Sequence, residues 1–494
     1  MPLFSFCCWL ALVWGAGWLF FPFSRRIFGD VLPDGGLAVG RVLFLAIWTL
    51  LAFWAGNFGV STQISAGFWL VLAALGWFFA FKTRTELRAD IRTRKRAIWA
   101  SEAVFLLIFL GFFGLRGFWS DTNGTNGEKS MDSALIGSLA RAERLPPPNP
   151  YAAGARLQSY YLFGHLETAL LTRAVASTPR WTYNLMCATL PALCFSVMFS
   201  LGAALSGRLL GGAFVAATVL GLGTLQPLYQ WLYPAQFGLN PPFRLDFFAV
   251  SRVIPFSINE FPWFTFNQAD LHAHYFDFPF ALATICLAYA VFRGQKMAIG
   301  AAVLVLAAQI LTNTWDFPAY AIVVGLALLA RPQAANESEA QPTPLQARFG
   351  LAVVVVLGAL FLAAPYLLGI KTAASPPQKL PQPASPLREW LLLWGVCAAA
   401  WWSFLSYSLW KSWAPRAIFL GLGVAVLGLA WKSPWSAPPF PYAASPWVLP
   451  LMGIFLLFSL WGAAKLRDES RFLCFLAVAG LVALAWSETT WAGF

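Results

Sequence analysis

Continuous apolar runs recur from one end of this 494-residue chain to the other. They are about 20 residues long, the length a helix needs to cross the hydrocarbon of a bilayer. A chain in hydrocarbon must satisfy its own backbone, so only helices or closed barrels cross. These runs do not alternate polar with apolar, which selects helices over a barrel. Only 11% of residues are charged and 59% are hydrophobic, a poor composition for a soluble domain of this length. The expected fold class is all-α, a polytopic helical membrane protein.

About fourteen spans are expected, near residues 3–23, 38–58, 65–82, 97–117, 182–204, 209–227, 276–293, 297–314, 316–330, 348–368, 389–409, 415–431, 446–464 and 471–487. They divide into an N-terminal four-helix segment (1–117), a core with two long polar loops (118–330) and C-terminal helices (331–494). Lys82 to Arg96, KTRTELRADIRTRKR, holds seven basic and two acidic residues between the third and fourth spans. The positive-inside rule puts this loop in the cytoplasm. The later turns on that side carry Arg293 and Lys296, Arg331 and Arg348, Lys411 and Arg416, and Lys465, Arg467 and Arg471. Both long polar loops, from Phe118 and from Pro227, then face outward, as do both chain ends.

That threading rests on one choice. Tyr160 to Val175, YYLFGHLETALLTRAV, has a helical pattern but contains His165, Glu167 and Arg173. Charges at mid-bilayer cost about 2.5–3.5 kcal/mol each on insertion scales. The segment is expected to lie on the outer surface as an amphipathic helix.

The formal net charge of +12 does not imply nucleic acid, because the basic residues sit in short loops between spans. The seven cysteines all fall in apolar runs and read as small buried hydrophobes. The first run has no basic residue before it and Arg25–Arg26 after it, the reverse of a secretory signal. Ala374 to Pro386 reads as a Pro-rich outer loop and Ala335 to Pro344 as a flexible linker. Asn123-Gly124-Thr125 fits a glycosylation sequon by chance.

Ionisable groups look nearly absent from the spans, with Glu102 close to an end, and that weighs against an ion-coupled transporter. The polar groups gather in the two long loops. The first holds Asp121, Glu128 and Asp132. A short helix from about Met131 ends at the prolines from Pro146, and Glu128 and Asp132 share its face if it starts early enough. A carboxylate there can take a proton from a hydroxyl. The second loop ends in NEFPWFTFNQADLHAH, Asn259 to His274. Extended, Asp270, His272 and His274 point one way and suit Mn²⁺ or Zn²⁺. They suit a phosphate or an acid/base pair equally. Helical, only Asp270 and His274 share a face. Arg244 and Arg252 precede them and can hold a phosphate. Asp316 lies at a later turn on the same side. The aromatics near this level read first as an interfacial belt.

Five blocks carry a resemblance: GEKSMDSALIGSLARAERLPPPNPYAAG (Gly127 to Gly154), QSYYLFGH (Gln158 to His165), SRVI (Ser251 to Ile254), INEFPWFTFNQADLHAH (Ile258 to His274) and TNTWDFPAY (Thr312 to Tyr320). In this order they resemble the archaeal and bacterial YYY membrane proteins. The tyrosine run is here Tyr160-Tyr161-Leu162, and Lys129-Ser130 stands for a Lys-Pro. Family members continue about where this chain stops, at Phe494, so a shortened member is expected.

That family is similar to the GT-C glycosyltransferases, which use polyprenyl-phosphate-linked sugars. The resemblance implies a donor at the extracytoplasmic face of a prokaryotic cytoplasmic membrane, an unidentified acceptor, and Mn²⁺ or Mg²⁺ as the metal if one is used. Asp132 or Glu128 would be the base, and Asp270 would stand at the phosphate with His272 and His274. Tyr160, Tyr161, His165, Arg252, Glu260 and Asp316 would complete substrate binding. The competing classes are a flippase for a lipid-linked glycan and a non-catalytic membrane scaffold.

Overall fold

The computed structural model describes residues 2–118, 120, 127–158, 160–239, 245–254, 257–331, 344–370, 378–379, 385–411, 415–418, 420–421, 423–424 and 447–491. Asp121, Arg244 and the 123–125 sequon fall outside these, as do most of 335–344 and 374–386. The helices are α1 (Pro2–Phe28), α2 (Leu37–Asn57), α3 (Thr62–Ala66), α4 (Phe68–Lys82), α5 (Arg84–Phe118), α6 (Lys129–Ala140), α7 (Phe163–Ala174), α8 (Pro179–Ser206) and α9 (Leu209–Ala217). They continue as α10 (Gln226–Leu232), α11 (Pro262–Gln268), α12 (Ala273–Phe292), α13 (Met297–Thr312), α14 (Phe317–Ala330), α15 (Leu345–Leu362), α16 (Ala364–Gly369), α17 (Leu387–Leu409), α18 (Val448–Lys465) and α19 (Asp468–Thr489).

Among the described residues, ten helices are long and apolar enough to cross a membrane. There are up to eleven if Leu209–Leu222 and Gln226–Leu232 form one bent span. The chain is thus a polytopic helical membrane protein. The shortfall from fourteen has local causes. At ~1.5 Å per residue, α13 and α14 measure about 24 and 21 Å, less than a hydrocarbon core of about 30 Å. Most of the expected span at 415–431 is outside the described residues.

The chain packs as two compact units, Met1–Thr218 with Gln268–Thr372, and Val219–Asn267 with Ala373–Phe494. In the first, the apolar stretch of α8 is buried throughout, and those of α2 and α12 nearly so. α4, α5 and α15 are as apolar but turn large side chains outward, among them Leu70, Trp77, Leu107 and Phe361. Such surfaces are stable facing lipid.

Three local expectations are corrected in this unit. The basic stretch before the fourth span is not a loop, because α5 runs unbroken for 35 residues. Nothing between Arg84 and Arg96 breaks a helix. Leu87 and Ile91, one turn apart, pack against Phe21, Leu37 and Ile98. Arg25 clamps Asp90 at 2.9 Å, and Arg94 pairs with Asp30.

Next, α7 does not lie on a surface. Phe163 to Thr172 are all buried. The ionisable groups that argued otherwise are accommodated in neutral form or at the end. Burial lowers His165 to about 3 and raises Glu167 to about 8, so both are uncharged near pH 7, and Arg173 emerges exposed in the last turn.

Finally, the spans do contain charge. Arg41 in α2 and Glu102 in α5 form a fully buried pair, Nη2 to Oε1 at 2.6 Å. Arg116 in α5 is buried and donates to Asn184 Oδ1 at 2.8 Å.

In the second unit, α17 and α18 join through Trp390, Leu391, Val448, Met452 and Phe455. Arg388 hydrogen bonds to Tyr229 and stacks on its ring. A short antiparallel ladder joins Gln378–Lys379 to Thr490–Trp491.

Candidate functional site

In the first unit, two stretches remote in sequence meet at one hydrogen bond. The Glu128 N–H donates to Asp270 Oδ2 at 2.8 Å, across 142 residues of chain. Each side of the contact is prepared locally.

On one side, Gly127 takes φ +96° and delivers the chain into α6, with Glu128 at its N-cap. A Cβ on Gly127 would overlap Asp270 Oδ2. Glycine is required here twice, for its backbone angle and for the close approach. Gly127→Ala is expected to cost about 1–3 kcal/mol through forced backbone strain and to open the Glu128–Asp270 contact. Thermal unfolding of the purified variant checks it, and an unchanged midpoint would show the contact is not built this way.

On the other side, α8 holds the loop before α12. The Tyr183 hydroxyl donates to the Ala269 carbonyl at 3.2 Å and accepts from the Leu271 N–H at 3.1 Å. Tyr275 donates to the Cys187 carbonyl at 2.8 Å. These buried phenols fix the backbone on both sides of Asp270.

Two acid–histidine pairs result. Asp132, in the first turn of α6, is fully buried and contacts His165 Nε2 at 3.0 Å. Gly164 lets α7 approach so closely that a Cβ there would strike the Phe276 ring, and that ring packs edge-on to His165 at 5.0 Å. Burial, and then the Asp270 charge, push the Asp132 carboxyl well above its ordinary range. Neutral His165 also hydrogen bonds to the Tyr161 backbone. A side-chain hydrogen bond between Asp132 and Asp270 raises the first carboxyl and lowers the second. The second pair is Asp270 and His272, Oδ2 to Nε2 at 3.1 Å. Burial alone would raise Asp270, but the hydrogen bond and charge of His272 and the Glu128 N–H hold it below its usual value. Burial alone would lower His272, but Asp270 first, then Asp132 and Glu128, raise it to about 9. Glu128 Oε2 lies 3.9 Å from His272 Nδ1, with its side chain 52% exposed. The site sets a buried acid, pushed up by its burial, beside a carboxylate–imidazolium pair and a half-exposed glutamate.

The other expected residues fall at graded distances from this centre. His274 enters the first turn of α12, its ring 5.9 Å from that of His272 and nearly parallel. Tyr160 packs edge-on to His165 at 5.9 Å. Burial, then the charges of Asp132, Glu128 and Asp270, push its phenol up. Tyr161 turns toward Tyr366, with ring centroids 6.2 Å apart. Asp316 stands at the N-cap position of α14 and accepts from Asn313 Nδ2 at 2.8 Å, outside the two pairs. Arg252 and Glu260 belong to the second unit, where they approach to 4.0 Å.

Among the described residues, no group of three or more His, Cys, Asp or Glu is arranged to hold a metal ion. Asp270, His272 and His274 do not form the set considered from sequence. Asp270 Oδ2 accepts from the Glu128 N–H and contacts His272 Nε2. The extended backbone ends at His272, the N-cap of α12. Asp277 was missed from sequence. It is fully buried in α12, bonded by Gln309 Nε2 at 3.1 Å. Its signal was an aspartate inside an apolar run, three residues after His274.

Fold and site together describe a polytopic helical membrane protein with a buried acid–histidine cluster at the joint of α6, α7 and α12. The chain belongs to the family described as uncharacterised membrane protein (DUF2298), which it matches over residues 47–491. No curated protein and no solved structure matches it.

Proposed function

We propose that the protein is a membrane glycosyltransferase of the GT-C kind. It transfers a sugar from a polyprenyl-phosphate carrier to an acceptor hydroxyl at the extracytoplasmic face of a prokaryotic cytoplasmic membrane. One observation carries the reading, the convergence of Glu128 and the Asp270–His272 pair through the 2.8 Å bond. It joins a carboxylate able to accept a proton to a fixed cation able to receive a phosphate, as such a transfer requires.

In this reading Glu128 is the base, because it is half exposed while Asp132 is fully buried. It takes the acceptor's proton as the acceptor oxygen bonds to the anomeric carbon. The bond from that carbon to the phosphate oxygen breaks in line, and lipid phosphate leaves. The His272 imidazolium, held charged by Asp270, offsets the charge gathering on that phosphate. Asp132 and His165 pack behind them, 3.0 Å apart. No step requires a metal. An apolar groove lined by Leu145, Leu157, Leu162 and Tyr366 reaches Tyr160 beside the cluster, which supports a carrier with an isoprenoid tail.

A second reading, a flippase for a lipid-linked glycan, draws support from the buried Arg41–Glu102 pair, since intramembrane charge often marks a transport path. One experiment separates them. Purified protein is incubated with radiolabelled polyprenyl-phosphate sugars, and sugar release or transfer is followed for the parent and Glu128→Gln. Turnover by the parent, reduced about 10²–10⁴-fold in the variant, supports the transferase. Unaltered donor that moves between vesicle leaflets supports the flippase and refutes the transferase.

A further inference from the structure

The start of α5 carries a positive stripe that neither the acid–histidine cluster nor the proposed transfer uses. Arg84, Arg88, Arg92, Lys95 and Arg96 are exposed. Their spacing of four, four, three and one residues confines them to an arc of about 120° on a helix of 3.6 residues per turn. The neighbouring arc holds Leu87, Ile91 and Ile98, which pack against Phe21 and Leu37. The ion pairs of Arg25 with Asp90 and Arg94 with Asp30 brace the inner side. The stripe is therefore held facing away from the protein. Exposed Glu86 lies about 200° around the helix from Arg84.

Both ends of the stripe are tied to the membrane. Lys82 closes one candidate span, Thr62–Lys82, whose last turns expose Trp77, Phe78 and Phe81. At the other end, the same helix continues from Ala97 as the apolar part of Arg84–Phe118. The stripe extends about 18 Å along the helix between these two apolar spans, which sets it next to the headgroup region. We propose that this face is a binding surface for anionic phospholipid headgroups, whose charge complements it. Headgroup phosphates bridge neighbouring arginines and bind the leaflet to this end of the first unit. Attraction of this kind grows with each basic residue near the surface and is screened by salt.

The test extracts the full-length protein from vesicles of equal phosphatidylglycerol and phosphatidylcholine and measures co-purifying lipid by mass spectrometry. The parent is expected to enrich phosphatidylglycerol by about tenfold or more at low salt, falling at high salt. The variant Arg88→Gln/Arg92→Gln/Lys95→Gln/Arg96→Gln should lose the enrichment. The control Arg208→Gln/Lys465→Gln, which removes exposed basic residues elsewhere, should keep it. The single variant Arg92→Glu, expected to lose part of it, keeps the test readable if the fourfold change impairs folding. Enrichment surviving in both stripe variants would overturn the proposal, as would equal loss in the control. Absence of enrichment in the parent, with retention of a labelled RNA at the same salt, would overturn it in favour of nucleic acid.

Discussion

Replacing Arg41 by methionine is expected to destabilise the protein by about 3–5 kcal/mol, because it strands Glu102 as an unpaired charge in the interior. Arg41 is fully buried and Glu102 is 1% exposed. Only Nη2 of the guanidinium reaches the carboxylate, while Nε, Nη1 and Glu102 Oε2 have no partner among the described residues. The guanidinium also stacks on Phe105, 4.0 Å from the ring centroid. A pair so incompletely satisfied adds little net stability, yet it is costly to break on one side. The double change Arg41→Met/Glu102→Met should therefore recover most of what the single change loses. Unfolding midpoints in detergent for the parent, both single variants and the double variant form the cycle that decides it. Additive losses would show that the two side chains act separately and that the pair is not a unit.

Asp270→Asn is expected to reduce turnover by about 10²–10³, the usual loss when a fixed electrostatic partner is removed. The change is nearly isosteric, and an asparagine oxygen can still accept the Glu128 N–H. It cannot hold a proton on His272. In the parent, Asp270 opposes the effect of burial and lifts His272 to about 9. Without it, the largest influence that raises the imidazole is gone, and burial pulls the ring down from about 9. The ring resonances of His272, followed by NMR across pH, should move their midpoint down from about 9. A merely structural aspartate would leave that midpoint in place.

The same pair predicts a pH signature in stability. His272 binds its proton more tightly folded than unfolded. Its contribution is full below pH 6.5 and disappears as pH rises through about 9. Parent and Asp270→Asn should thus differ most in unfolding midpoint near pH 6 and converge on this account above 9.

Much of the candidate site was legible before any fold was known. Glu128, Asp132, Asp270 and His272 stand out as polar groups in an apolar chain, and the structure brings all four together. Their division of labour was not legible. Asp132 and Glu128 lie four residues apart, on what sequence reads as one helical face. Only burial separates them, since one is fully enclosed against His165 and the other half exposed at His272. Gly127 passed as a turn residue, because the atom that excludes a side chain there belongs to Asp270, far along the chain.

The helices themselves are a different case. Backbone groups in hydrocarbon have no partner except one another, so long apolar runs determine helical spans without knowledge of what they pack against. That is local information, and sequence carried it for α1, α2, α5, α8, α12 and the later spans. Where the runs are short or charged, the neighbours decide. α7 is buried rather than surface-lying, and that burial pushes His165 and Glu167 toward their neutral forms. Arg41 and Glu102 enter the interior because each supplies the other's counter-charge. A side chain's ionisation depends on what surrounds it, and for these residues the surroundings come from chain tens to hundreds of positions away. The sequence by itself determined that this chain crosses a membrane as helices. Which of its acids and histidines carry charge was decided by the tertiary structure alone.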